Sequence, residues 1–201
     1  MARSPLSLFP LARDLRRAGH SISFFAYSVA LHSFEDNARR LLEHIRKNER
    51  GEGYGIVAHS LGGIMTRFIS PELPPGLNRL VMLGPPNQAV VMAKRYGKNH
   101  LYRRATGSSG QRLGDAVFYQ ALPIPQVPTL IIAGRLGRRD RYSPFGDKPN
   151  DGIVTVEETQ LEGAEHMVVP TFHTWIMNDP LARIVIREFL SSVGPRSGGT
   201  A

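Results

Sequence analysis

Cysteine is absent from this chain of 201 residues. That removes disulfides and thiolate metal sites, and any clue to redox compartment goes with them. No continuous apolar run reaches membrane-spanning length, so a soluble protein is expected. No internal repeat is visible; no secretory signal is visible either, so a cytoplasmic location is expected, left open because an upstream extension could carry a signal. Acidic residues are the scarcer charge, 17 against 25 basic ones, for a formal net charge of +8. The basic surplus is scattered over Arg13, Arg16 and Arg17, Arg39 and Arg40, Arg103 and Arg104, and Arg135, Arg138, Arg139 and Arg141. A nucleic-acid binder would gather such residues on one face with aromatics between them, so nucleic acid is not an expected partner. Mild attraction to anionic lipid surfaces fits the charge, and so does a codon bias toward arginine.

What is present suffices for one domain with a substantial core. It is expected over residues 1–193, followed by a disordered Gly/Ser tail at 194–201. Ser4 and Pro5 open a helix that Gly19 ends, with Leu8, Leu11, Ala12 and Leu15 as its apolar stripe. Residues 21–26 read as a buried strand. Ser33 opens a second helix, whose Phe34, Ala38, Leu41, Leu42 and Ile45 share one face. Beyond Gly51 and Gly53 come a strand at 55–58, a helix at 61–69, a strand at 79–83 and a helix around 89–95. Residues 97–125 are polar and irregular, loosest at 107–110. Strands at 129–133 and 167–171 follow, and Asp179-Pro180 caps a last helix through 190. Strands separated by helices predict an α/β fold, a mostly parallel sheet covered on both faces.

One joint in this order carries chemistry. Ile56-Val57-Ala58-His59-Ser60-Leu61-Gly62-Gly63 takes an apolar strand into a helix-forming run with a serine at the junction. Small residues stand two before and two after it, at Ala58 and Gly62, where larger side chains would clash in a tight strand-to-helix turn. A nucleophile elbow needs this arrangement, which exposes the serine hydroxyl at a helix N-terminus. There the Leu61 amide and the helix dipole can stabilise a developing oxyanion.

A serine needs a base, and the base needs a third group to orient it. In a parallel sheet these partners belong on loops after later strands. His173 lies just past the last predicted strand and is preferred over His166, which would enter that strand at its far end. His59 adjoins the serine but points away from it in an elbow, and reads as structural. For the acid, the loop after 129–134 offers Asp140, Asp147 and Asp151. Asp151 is favoured because Asn150-Asp151-Gly152 is a turn followed by the strand-like Ile153-Val154. Asp140, among Arg138, Arg139 and Arg141, reads as solvated surface charge. The candidate order is Ser60, Asp151, His173.

These segments, together with Leu83-Gly84-Pro85-Pro86-Asn87, resemble a small bacterial member of the α/β-hydrolase superfamily of the lipase/esterase kind. The Asn-Asp-Gly turn is similar to the acid turn of bacterial triacylglycerol lipases, and Ala58 stands where the usual pattern has glycine. The resemblance implies an α/β-hydrolase fold, a Ser60–His173–Asp151 triad, and no cofactor or metal. Relatives of this kind place a further strand and a His-Gly turn just before the first helix, so the chain is expected to be N-terminally truncated. Met1 then falls where the second oxyanion-hole amide belongs, beside that of Leu61. Residues 87–125 lie where lids are inserted; they are long enough for a short lid and too short for a cap domain. Phe118, Tyr119, Leu122, Trp175 and Met177 could line an acyl pocket, but are more simply core or rim.

The expected reaction is hydrolysis of a carboxylic ester or acylglycerol. The expected partner is a small-molecule ester or lipid, with peripheral lipid contact allowed. Oligomeric state is not legible. A catalytically impaired binding module and a thioesterase or amidase are the alternatives.

Overall fold

The computed structural model describes residues 5–29, 31–89 and 114–192. Among them, four parallel strands form one sheet in the order β1 (Tyr54–His59), β2 (Leu77–Leu83), β3 (Thr129–Gly134), β4 (Glu165–Val169). The β3 sequence TLIIAG is buried at every position, as expected for a strand covered on both faces. Successive side chains leave a strand on opposite faces. Accordingly Val81, Leu83, Leu130 and Ile132 join one core, while Leu80, Met82 and Ile131 join another on the reverse side.

The first core is closed by α1 (Phe9–Arg17), through Leu11 and Leu15, and by the C-terminal helix, through Ala182, Ile186 and Phe189. On the reverse side α2 (Phe34–Asn48) and α3 (Leu61–Ile69) pack around Phe34, Leu42, Ile64 and Met65. The helix starts are fixed by local chemistry. Ser33 Oγ accepts the Asp36 amide at 3.0 Å, and Asp179 Oδ1 accepts that of Ala182 at 3.0 Å. Register pairs His59 with Leu83 and Gly134 with Val169, so the C-terminal ends of β1, β3 and β4 open onto one edge of the sheet.

The observed elements depart from the expected ones in five places, the first being that Pro5–Leu8 forms a 3-10 turn and the α-helix expected from Ser4-Pro5 starts only at Phe9. Residues 21–26 are extended but belong to no strand, and their backbone groups have no hydrogen-bond partner among the described residues. A cavity of about 470 Å³ separates them from β1, lined by Ile22 and Phe24 on one side and Tyr54, Gly55 and Val57 on the other. Apolar residues mark a segment as strand-forming, but a strand also needs a neighbour within hydrogen-bonding reach. The 97–125 stretch contains a helix, α4 (Ala116–Ala121), started by Asp115 Oδ1 accepting the Val117 amide at 2.9 Å. The last strand starts at Glu165 and ends at Val169, because Thr171 turns back to the carbonyl of Val169. After Asp151 there is no strand. Thr155 and Glu158 instead form a capping box that starts the short α5 (Val156–Thr159). The helix expected around 89–95, residues 90–113 of the expected 87–125 lid and the 194–201 tail lie outside the described residues. The last helix, α6, is Pro180–Ser191.

Arg67 on α3 is 2% exposed, and it ties Asn87 and the Leu122–Pro123 segment to the core. Its guanidinium donates to Asn87 Oδ1 at 3.1 Å, to the Leu122 carbonyl at 3.1 Å and to the Pro123 carbonyl at 3.0 Å. Asn87 Nδ2 in turn donates to the Thr159 carbonyl at 2.8 Å. Replacing Arg67 with Met keeps most of the volume and strands two buried acceptors and one part-buried one. It is expected to cost about 2–4 kcal/mol, read as a lower urea midpoint, with Asn87→Ala costing less.

Candidate active site

The junction of β1 and α3 is sharply bent. Ser60 adopts φ 55 and ψ −125, the only positive φ outside glycine among the described residues. An L-residue is strained there and stays only when its surroundings over-determine it. Here the Ser60 amide donates to the Leu83 carbonyl at 2.8 Å, and its own carbonyl accepts the Gly63 amide at 2.9 Å. The serine is thus held between the end of the neighbouring strand and the first turn of α3. A methyl group placed at Gly62 would meet Ala58 Cβ at 3.8 Å, an ordinary contact. The space excludes bulk rather than alanine. Gly63 is tighter, since a Cβ there would lie 3.0 Å from Met82 Sδ and 3.2 Å from Pro85 Cβ.

His173 follows β4 and opens a 3-10 turn, His173–Asn178. Its Nε2 lies 2.9 Å from Ser60 Oγ, and its Nδ1 lies 2.7 Å from Asp151 Oδ2. The His173 and Asp151 side chains are 5% and 1% exposed. The other carboxylate oxygen, Asp151 Oδ1, accepts the amides of Ile153 and Val154, each at 2.9 Å. Oδ2 is therefore left to accept the Nδ1–H of His173, which turns the Nε2 lone pair to the serine hydroxyl. The two residues are also joined through the main chain, the His173 amide donating to the Asp151 carbonyl at 3.0 Å. Ser60, Asp151 and His173, singled out in the sequence, are brought into one hydrogen-bonded row.

Two further residues shape the base. His59 donates from Nε2 to the His173 carbonyl at 3.0 Å, and the two rings lie 4.7 Å apart. It thereby anchors the main chain of the residue whose Nε2 meets Ser60. Gly84, with φ 55, ends β2; a Cβ there would sit 2.9 Å from His173 Nδ1 and 3.0 Å from Ile176 Cδ1. Only a residue without a side chain leaves room for the imidazole. A lone glycine directly after a strand was the signal for this role.

The remaining candidates lie elsewhere. His166 is the second residue of β4, donates to Thr159 Oγ1 at 2.8 Å, and has its pKa pushed down by burial. Asp140 pairs with Arg138 and accepts the amides of Tyr142 and Ser143; the hydrogen bond from Arg138 holds its carboxyl below the usual range. Asp147 is exposed. Leu61 is the first residue of α3, so its amide has no acceptor within the helix and stands beside Ser60. Met1 lies outside the described residues. Phe118, Tyr119, Leu122 and Met177 are buried in the core, whereas Trp175 is 61% exposed.

No protein-family model matches the sequence, and no curated protein matches it. Similarity appears in three dimensions. The mature form of the Bacillus licheniformis lipase BlEst2 superposes with a TM-score of 0.75 at 19% identity, over 94% of this chain and 88% of that one. The phospholipase PlaB from Legionella pneumophila gives 0.69 at 15% identity, over 94% of this chain and 57% of that one. An extracellular alpha/beta-hydrolase from a Paenibacillus species gives 0.59 at 14% identity, over 92% of this chain and 94% of that one. Likeness at these identities concerns the fold. The chain spans little more than half of the phospholipase and half of the propeptide form of the lipase.

The strain at Ser60 has a measurable consequence. Glycine occupies φ 55 without penalty, whereas alanine does not. Ser60→Gly is expected to be more stable than Ser60→Ala by about 1–3 kcal/mol in urea unfolding. Equal midpoints would mean that the turn is unstrained.

Proposed function

We propose, from the α/β-hydrolase fold that this chain adopts, that it is a serine hydrolase cleaving carboxylic esters or acylglycerols. The observation that carries this reading is the position of His173, 2.9 Å from Ser60 Oγ and 2.7 Å from Asp151 Oδ2. Ser60 Oγ attacks the ester carbonyl while His173 Nε2 takes its proton. The buried Asp151 carboxylate keeps the imidazole in the required tautomer and stabilises its cationic form. Negative charge builds on the former carbonyl oxygen, which the Leu61 amide at the start of α3 meets with a hydrogen bond and a favourable dipole. His173 then returns the proton to the departing alcohol, leaving an acyl group on Ser60. Water, deprotonated by the same nitrogen, releases the acid in the reverse sequence.

An ester substrate is chosen over a thioester or amide because the similar folds include a lipase and a phospholipase. An alcohol also leaves more readily than an amine, so the row of residues has less to supply.

The test is labelling by a fluorophosphonate probe, which reacts with an activated serine and ignores an ordinary one. The chain is expected to be labelled, and Ser60→Ala to escape. Absence of labelling in the folded chain would overturn the proposal. Asp151→Asn is expected to retain the fold and lose about 10⁴-fold in kcat. Comparing turnover of matched oxygen esters, thioesters and anilides settles the acyl donor, and faster thioester or anilide cleavage would replace the ester reading. Gly84→Ala should push His173 off its position, lowering kcat by about 10²-fold with KM little changed. An unaltered kcat would show that the imidazole has room to move.

A further inference from the structure

The loop after β3 and the turn after β4 flank the Ser60–His173–Asp151 row, and both spend apolar residues on solvent. Trp175 is 61% exposed, Phe172 49%, Leu136 48% and Tyr142 66%. The core does not need them, because Ile176 and Met177 fill the buried side of the same turn. Backbone bonds hold the set together. The Leu136 amide donates to the Thr171 carbonyl at 3.2 Å, and that of Trp175 to the Phe172 carbonyl at 2.8 Å. His173 sits between Phe172 and Trp175 in the chain, so this rim belongs to the rim of the site.

The charge beside it is of one sign. Residues 135–142 hold Arg135, Arg138, Arg139 and Arg141 against a single acid, Asp140, and all four arginines are exposed. Asp140 is committed to Arg138 and to the amides of Tyr142 and Ser143. The guanidiniums of Arg138 and Arg141 lie 5.3 and 4.7 Å from the centre of the Tyr142 ring. The loop is not left loose. The Gly137 amide donates to the Asn150 carbonyl at 2.6 Å, and Asn150 Nδ2 donates to the Arg138 carbonyl at 3.0 Å. Arginines on one loop with exposed Tyr142 and Leu136, joined through the Leu136 amide to the turn that carries Phe172 and Trp175, match a lipid–water interface, where rings sit at headgroup level and arginines meet phosphates.

We propose that this rim docks on an anionic lipid surface and that the esters cleaved at Ser60 are presented there. The second half of the statement rests on the serine-hydrolase reading; the docking does not. Nucleic acid would also meet arginines and aromatic rings, but it gives no use to exposed Leu136.

The chain has one tryptophan, and it is Trp175. Its emission therefore reports on the rim alone. The experiment uses Ser60→Ala, so that no lipid is consumed, with vesicles of phosphatidylcholine alone or mixed with phosphatidylglycerol. The expected result is a blue shift and co-sedimentation with the mixed vesicles, weakened by high salt. The Arg135→Gln, Arg139→Gln, Arg141→Gln triple variant, which keeps the Arg138–Asp140 pair, should partition about 10²-fold less. Trp175→Ala should sediment less without losing its melting temperature. Unchanged emission with no sedimentation overturns the docking, as does equal binding by the triple variant. Salt-sensitive retention on DNA or RNA in place of vesicles also overturns it. Fluorophosphonate labelling without vesicle binding leaves the hydrolase reading intact and ends this one. Vesicle binding without labelling keeps the docking and removes the presented ester.

Discussion

The structure around the site depends on one buried contact, the pairing of Asp151 with His173. Each side chain is nearly inaccessible, and an isolated charge or polar group at that depth would be costly. The cost is offset because the carboxylate is fully engaged, by two amides on one oxygen and the imidazole on the other. The loop after β3 and the turn after β4 are thereby locked to each other, side chain to side chain and main chain to main chain. Parallel strands make this economical. With β3 adjacent to β4, the two loops leave the sheet at the same edge and need only short reaches to meet.

Ser60 is placed by a different device. Where Asp151 and His173 relax into a satisfied network, Ser60 is held in a backbone conformation that it would not choose. The bonds to Leu83 and Gly63 fix it from both sides, and the result is a hydroxyl presented at a helix start. His59 and Gly84 complete the arrangement from opposite directions. One holds the main chain of His173, and the other keeps its ring's space empty. The site is thus assembled from one strained element and one relaxed pair.

Much of this was legible in the residues, for identifiable reasons. The elbow was readable because its sterics are local, within the five positions from Ala58 to Gly62. His173 and Asp151 could be singled out because a parallel sheet restricts where partners can stand. β2 and β3 were visible as apolar runs, and α2 through its Ser33 cap and single apolar face. Other features depend on what lies across space. Residues 21–26 have strand composition, yet pairing is a property of the neighbour and not of the segment. The role of Gly84 exists only because an imidazole from far along the chain arrives beside it. α4 was hidden by the loose composition of the preceding stretch, although Asp115 stands at its start as a cap. The capping box of Thr155 and Glu158 was a local signal outweighed by two apolar residues before it.

The three bonds of Arg67 also set how this molecule can change. They hold the chain at Asn87 and again at Leu122 and Pro123, so the two ends of the intervening stretch meet at one guanidinium. The pinned ends carry core residues with them, since Phe118 and Tyr119 of α4 pack in the same cluster as Phe34 and Ile64. One buried cation outside the Ser60–His173–Asp151 row thus couples the helix that follows the serine to both Asn87 and the end of α4, and a change at either place is felt at α3.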